Sequence, residues 1–132
     1  MRPLLLKMLH KHSCPEEDFE KFAVRFGEWN LTPILVKCEV AGVLVEKDGQ
    51  IHMALEPMYR KRSIYWRKGL ESLIQPLIEK YGYVTTLVVN DNTEAHSFVQ
   101  KLGFKATIER GGITDYRLQK IVHRRKECQQ LS

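Results

Sequence analysis

Long apolar runs are missing from this 132-residue chain. No stretch approaches the ~20 consecutive apolar residues that a membrane-spanning helix needs, so the sequence predicts no such helix. The first ten residues carry several leucines, but Lys7 interrupts them and no small-residue cleavage site follows. A signal peptide requires a longer apolar core and such a site, and the segment reads as an opening strand. Cysteine is scarce: Cys14, Cys38 and Cys128 are odd in number, far apart and without a Cys-x-x-Cys pair. That argues against a disulfide framework or a zinc site and suits free thiols in a reducing cytoplasm. Repeats, low-complexity tracts and linkers are also lacking, which leaves one domain over residues 1–120 and a basic C-terminal tail over 121–132. A net charge of +5 is a modest basic bias that favours acidic partners without specifying one.

What is present is an ordinary globular balance, 43% hydrophobic and 28% charged residues. Pro15 followed by Glu16, Glu17 and Asp18 predicts a helix N-terminus, with Phe19, Phe22, Ala23 and Phe26 on one apolar face up to about Trp29. Residues 34–39, 42–46 and 51–55 are β-prone, and Asp48-Gly49 predicts a hairpin turn between the last two. A loop over 56–63 leads into a long helix striped by Leu70, Leu73, Ile74, Leu77 and Ile78, ended by Gly82 and kinked at Pro76. Residues 84–89 read as a nearly continuous apolar strand at the sheet centre. Asp91 or Asn92 caps the next helix, and two strands around Gly111-Gly112 close the chain. The expected order is β-α-β-β-β-α-β-α-β-β, an α/β (α+β) domain with a mixed, mostly antiparallel central sheet and helices on both faces.

Within that order, Asn92, Ala95, Phe98, Lys101, Gly103 and Phe104 follow the spacing Asn-x-x-Ala-x-x-Phe-x-x-Lys-x-Gly-Phe. This resembles the last helix and following strand of the GNAT superfamily of N-acetyltransferases, and the element order is similar over roughly residues 33–118. The resemblance implies an acetyltransferase-like protein, acetyl-CoA as cofactor and acyl transfer to an amine acceptor. It places Asn92 near the pantetheine arm, Phe98 beneath the cofactor, and Leu55 on the strand that meets it. The family's phosphate loop corresponds to Arg60, Lys61, Arg62, Ser63 and Tyr65. Arg60 matches the opening position, whereas Ser63 and Tyr65 stand where glycine or alanine belongs, and Lys61 replaces a further glycine. Backbone N–H groups at a helix start form an anion site, and the added cations strengthen it while the Tyr65 ring competes for its space. By the same resemblance Glu56 is the leading general base, with Glu46 second. Val99 occupies the position where many members carry a tyrosine that protonates the departing thiolate.

Other readings stay open beside these. The cluster Arg60-Lys61-Arg62 with Arg67, Lys68, Tyr59, Tyr65 and Trp66 also suits a solvated surface, or nucleic acid held by phosphate contacts and base stacking. His10 and His12, two apart on a strand, would share a face, but no third metal ligand is evident. His52 alternates with core residues and reads as a partly buried histidine, and His96 as an exposed one. Asn92 is equally well explained as an N-cap. Small proteins of this type with altered motifs also occur in tailed bacteriophages, some linked to virion assembly. A non-catalytic scaffold that binds a protein partner is therefore the rival to an enzyme, and a small nucleic-acid binder is the third reading.

Overall fold

Three tight turns of one geometry organise the strands. The computed structural model describes residues 2–13, 15–60 and 63–121; Met1, Cys14, Lys61, Arg62 and residues 122–132, with Cys128 and the basic tail, lie outside them. Asp48-Gly49 joins β2 (Glu39–Lys47) to β3 (Gln50–Leu55), with φ of 53° and 89°. Gly111-Gly112 joins β5 (Lys105–Arg110) to β6 (Ile113–Leu118), with φ of 54° and 79°. Consecutive positive φ values give the turn whose twist matches the flanking strands, which is why Asp-Gly and Gly-Gly mark it.

The third turn departs from the sequence reading. The first strand, β1 (Asn30–Val36), stops short of residue 39, and the chain reverses at Lys37-Cys38 with φ of 51° and 68°. Neither residue is glycine, so the composition carried no turn signal. An L-residue in this region costs roughly 1–2 kcal/mol. Cys38→Gly is therefore expected to stabilise the protein by about 1 kcal/mol, read as a higher urea midpoint at unchanged slope. A lower midpoint would show that the exposed Cys38 side chain offsets its backbone strain.

The opening segment is a helix, α1 (Arg2–Ser13), where a strand was expected. Leu5 and Leu9 lie one helical turn apart and are both buried. A short leucine-rich run does not distinguish helix from strand, and here tertiary packing decides. The Arg2 guanidinium donates to the carbonyls of Phe26, Gly27 and Trp29 at 2.9–3.0 Å. It thereby closes the C-terminal end of α2 (Phe19–Arg25), which begins four residues after Pro15 because the Asp18 carboxylate caps it at Lys21 N–H. His10 Nε2 lies 2.6 Å from the Glu17 carbonyl oxygen. In a helix His10 and His12 point to opposite sides, so they share no face.

The loop over 56–63 contains a short helix, α3 (Pro57–Arg60), and α4 (Ser63–Tyr81) follows almost at once, with Pro76 inside it. Gly82, at φ 86°, ends α4, and its N–H donates to the Ile78 carbonyl at 2.7 Å. After β4 (Val84–Val89), α5 (Thr93–Leu102) is capped by Asn92, whose Oδ1 accepts from Ala95 N–H at 3.0 Å, and is closed by Gly103 at φ 105°. The six strands form one sheet in the order β1-β2-β3-β4-β6-β5. Every neighbouring pair is antiparallel except β3–β4. Helices α1 and α2 bury Leu5, Leu9, Phe22 and Phe26 against Val43, Val45 and Ala54 on one face. Helices α4 and α5 bury Trp66, Leu70, Ile74, Val99 and Leu102 on the other. Strand β4 is interior, but its burial alternates: Leu87 and Val89 are exposed on the face opposite α5. That pattern marks a strand covered by helices on one face, since α1 packs over β1, β2 and β3 on the other.

Gly69 sets how closely α4 approaches the sheet. A Cβ there would lie 2.9 Å from the Leu35 carbonyl oxygen of β1. Gly69→Ala, which in an open helix would gain about 1 kcal/mol, is instead expected to lower the unfolding midpoint. A raised midpoint would mean that α4 slides off the β1 backbone at no cost.

Candidate active site

Strands β3 and β4 are registered at a single pair, Gln50↔Thr85, fixed by Thr85 N–H donating to the Gly49 carbonyl at 2.9 Å. Beyond it they part, and a cleft of about 340 Å³ opens between them. On the β2 side Glu56 N–H donates to the Ala41 carbonyl. Antiparallel pairing alternates, so His52 and Ala54 also spend their backbone groups on β2. The backbone groups of Met53 and Leu55 then face β4 across the cleft. The Leu55 carbonyl is taken by Arg60 Nη2 at 3.0 Å. The cleft opens on both faces of the sheet. Val88, Asn92, Ala95, Phe98 and Val99 line it on the α5 side, and His12, Ser13, His52, Ala54, Leu87 and Val89 on the α1 side.

The two helix beginnings meet at this opening. Arg60 lies just before α4 and Glu94 in the first turn of α5, and Nη1 and Oε1 pair at 3.1 Å. Behind them Trp66, fully buried, donates from Nε1 to the Arg60 carbonyl at 3.2 Å and packs on Phe98, ring centroids 4.5 Å apart. Of the residues expected at a cofactor site, Leu55, Arg60, Asn92 and Phe98 line the cleft. Arg60 reaches it already bonded to Glu94 and Leu55. Asn92 is an N-cap on a cleft wall, so its two readings are compatible. Lys61 and Arg62 lie outside the described residues, as do the side chains of Ser63 and Tyr65, whose backbones form the first turn of α4. Val99 is buried against the core.

Glu56 is not itself on the cleft wall; it stands behind His12, with Oε1 3.3 Å from His12 Nε2. The sequence points to His12 only as a metal ligand beside His10, because its partner Glu56 is far along the chain and α1 reads as a strand. Glu46, the second candidate base, is at the closed end of the sheet. Its carboxylate accepts from Gly49 N–H at 3.2 Å and Asn30 Nδ2 at 3.1 Å, holding the hairpin turn. His96 is partly buried, not exposed, with Nδ1 2.6 Å from the Tyr116 hydroxyl. The nucleic-acid reading loses Trp66, one of its three stacking residues, to the core, and Arg67 is bound to the Lys101 carbonyl at 2.8 Å, at the end of α5. Among the described residues, no three His, Cys, Asp or Glu side chains are placed to hold a metal ion, and no helix is long and apolar enough to cross a membrane.

His52 lies against the Trp29 and Phe26 rings, at centroid distances of 5.4 and 6.3 Å. Burial, and secondarily the charge of Arg25, push its pKa below the ordinary 6.5. The folded state thus binds this proton less readily than the unfolded chain. Its contribution to stability is complete above pH 6.5 and declines as pH falls through that value. His52→Gln is expected to flatten the acid side of the stability profile; an unaltered slope would assign the loss to other groups.

Neither any protein-family model nor any curated protein matches this sequence. Solved structures do. An acetyltransferase from Thermus thermophilus superposes with a TM-score of 0.68 at 17% identity, covering 89% of this chain and 90% of that one. The ribosomal-protein-S18-alanine N-acetyltransferase from Escherichia coli gives 0.64 at 17% identity, with coverages of 92% and 88%. A GNAT family acetyltransferase from Elizabethkingia anophelis, solved with acetyl-CoA bound, gives 0.63 at 16%, with 86% and 89%. At such identities the likeness establishes the fold: the chain has the GNAT fold that the residue 92–104 motif predicts, over nearly its whole length.

Proposed function

We propose that this GNAT-fold protein is an acyl-CoA-dependent N-acyltransferase, acting on an amine in a reducing, cytoplasmic setting. The observation that carries the reading is the split between β3 and β4, which opens one cleft to both faces of the sheet. The acyl donor would enter from the α5 side, with its pantetheine arm along Asn92 and Phe98. Its phosphates would lie at the start of α4, among Arg60, Lys61, Arg62, Ser63 and Tyr65, since the N–H groups of a helix start and the helix dipole attract anions. The acceptor amine would come from the α1 side. An unpaired backbone N–H of β3, at Met53 or Leu55, is suited to stabilise the oxyanion formed when the amine attacks the thioester carbonyl. With valine at position 99 no tyrosine assists the leaving thiolate, and such an acid is worth roughly 10²–10⁴-fold. Positioning and oxyanion stabilisation would then carry most of the rate.

Calorimetric titration with acetyl-CoA tests the reading. Saturable binding with a micromolar dissociation constant is expected, and silence up to millimolar concentration would leave the fold as a scaffold without this activity. The Arg60–Glu94 pair refines the expectation. Glu94 presents a carboxylate where anionic phosphates would enter and engages a cation that would otherwise meet them. Glu94→Gln should tighten acetyl-CoA binding roughly three- to tenfold, on the order of 1 kcal/mol. Weaker binding would show that the pair props the mouth open.

A further inference from the structure

The α1 side of the cleft holds a buried polar atom without a hydrogen bond. His12 Nε2 has no hydrogen-bond partner, although its side chain is only 9% exposed. Its nearest charged neighbour is Glu56 Oε1 at 3.3 Å, placed too obliquely to accept a hydrogen bond. An unsatisfied buried nitrogen costs roughly 1–3 kcal/mol, and folding tolerates it here on the wall of a cleft. His12 stands at the C-terminal end of α1, beside Ser13, with His52, Ala54, Leu87 and Val89 completing that side. Among the described residues it presents the one buried histidine nitrogen that lacks a hydrogen-bond partner, whereas His52 Nε2 lies 3.2 Å from Gln50 Nε2. The Glu56 carboxylate beside it is two-thirds covered and does not itself line the cleft.

We infer that His12 is the catalytic proton acceptor of the acyl transfer and that Glu56 is its positioning partner; this rests on the acyltransferase reading above. The amine nitrogen, donating a hydrogen bond to the orphan Nε2, attacks the thioester carbonyl carbon. A carbon–nitrogen bond forms, the carbon–sulfur bond breaks, and the thiolate departs with the electron pair and takes a proton from water. The proton lost by the amine passes to Nε2. The imidazolium so formed is stabilised by the Glu56 carboxylate and returns its proton to solvent. The arrangement assigns the role expected of Glu56 to two groups. The imidazole receives the proton, and the carboxylate stabilises the charge it acquires. It also explains why a carboxylate set back from the wall can still serve the reaction.

The test uses the intact protein and an S-bromoacetyl derivative of coenzyme A, whose reactive carbon sits where the acyl group would. Nε2 of His12 displaces bromide, forming a carbon–nitrogen bond, and bromide leaves with the electron pair. Peptide mass analysis at mildly alkaline pH should find one label, on His12. His12→Gln should bind the reagent with unchanged affinity in calorimetry but lose about 90% or more of the labelling rate, as expected when the attacking group is removed. Glu56→Gln should keep the label on His12 and slow its formation. A label on Glu56 itself or on another residue, or tight binding without any label, overturns the assignment and leaves the acyltransferase reading standing. Absence of binding overturns both.

Discussion

Trp66→Ala is expected to cost about 3–5 kcal/mol of folding stability, a large part of the roughly 5–15 kcal/mol that a domain usually possesses. The side chain is 1% exposed and lies in the cluster shared by α4, α5 and the sheet. Removing it leaves a cavity beneath Phe98 and deprives the Arg60 carbonyl of its indole donor. Two separate consequences follow. The urea midpoint falls, and acetyl-CoA binding weakens even where the variant is folded, because Phe98 and the Arg60 turn lose their support. Trp66→Phe separates them: it keeps most of the packing and loses one hydrogen bond, worth about 1 kcal/mol. A Trp66→Ala loss below about 1.5 kcal/mol would mean that the core does not converge on this residue.

Ala95→Trp should reduce acetyl-CoA affinity by about 100-fold or more, near ~2.7 kcal/mol. Ala95 is in the first turn of α5, half-buried on the α5 wall of the cleft. An indole projecting from it would occupy the space the pantetheine arm needs. The stability cost should stay within about 1–3 kcal/mol, since the side chain can extend into the cleft instead of into packed core. Unchanged affinity in a folded variant would place the acyl donor elsewhere.

Much of the fold is legible where short-range chemistry decides. Asp48-Gly49, Gly111-Gly112, the Asn92 cap and the Gly103 terminator each act within a few residues, and they fix β2–β3, β5–β6 and α5. The failures are places where distant packing decides. The run from Leu4 to Leu9 becomes a helix because α2 and the sheet cover Leu5 and Leu9, and because Arg2 finds carbonyls at Phe26, Gly27 and Trp29. Lys37-Cys38 turns without glycine because the β1–β2 pairing compels it. The candidate site divides the same way. Asn92 and Phe98 follow from a local motif, and Leu55 from its place in the element order. The Arg60–Glu94 pair and His12 behind the end of β3 depend on contacts across the chain, which spacing alone does not encode. Glu46 is a candidate base by strand position alone, and its hydrogen bonds tie it to the hairpin turn at the closed end of the sheet.

The central claim, that the opening between β3 and β4 receives an acyl-CoA, is tested most directly by following backbone amide NMR signals during titration with acetyl-CoA. The account predicts that Met53, Leu55 and Ala95 shift together and saturate with one dissociation constant. Shifts confined to Asp48, Gly49 and Tyr83, which line a separate hollow at the closed end of the sheet, would contradict it.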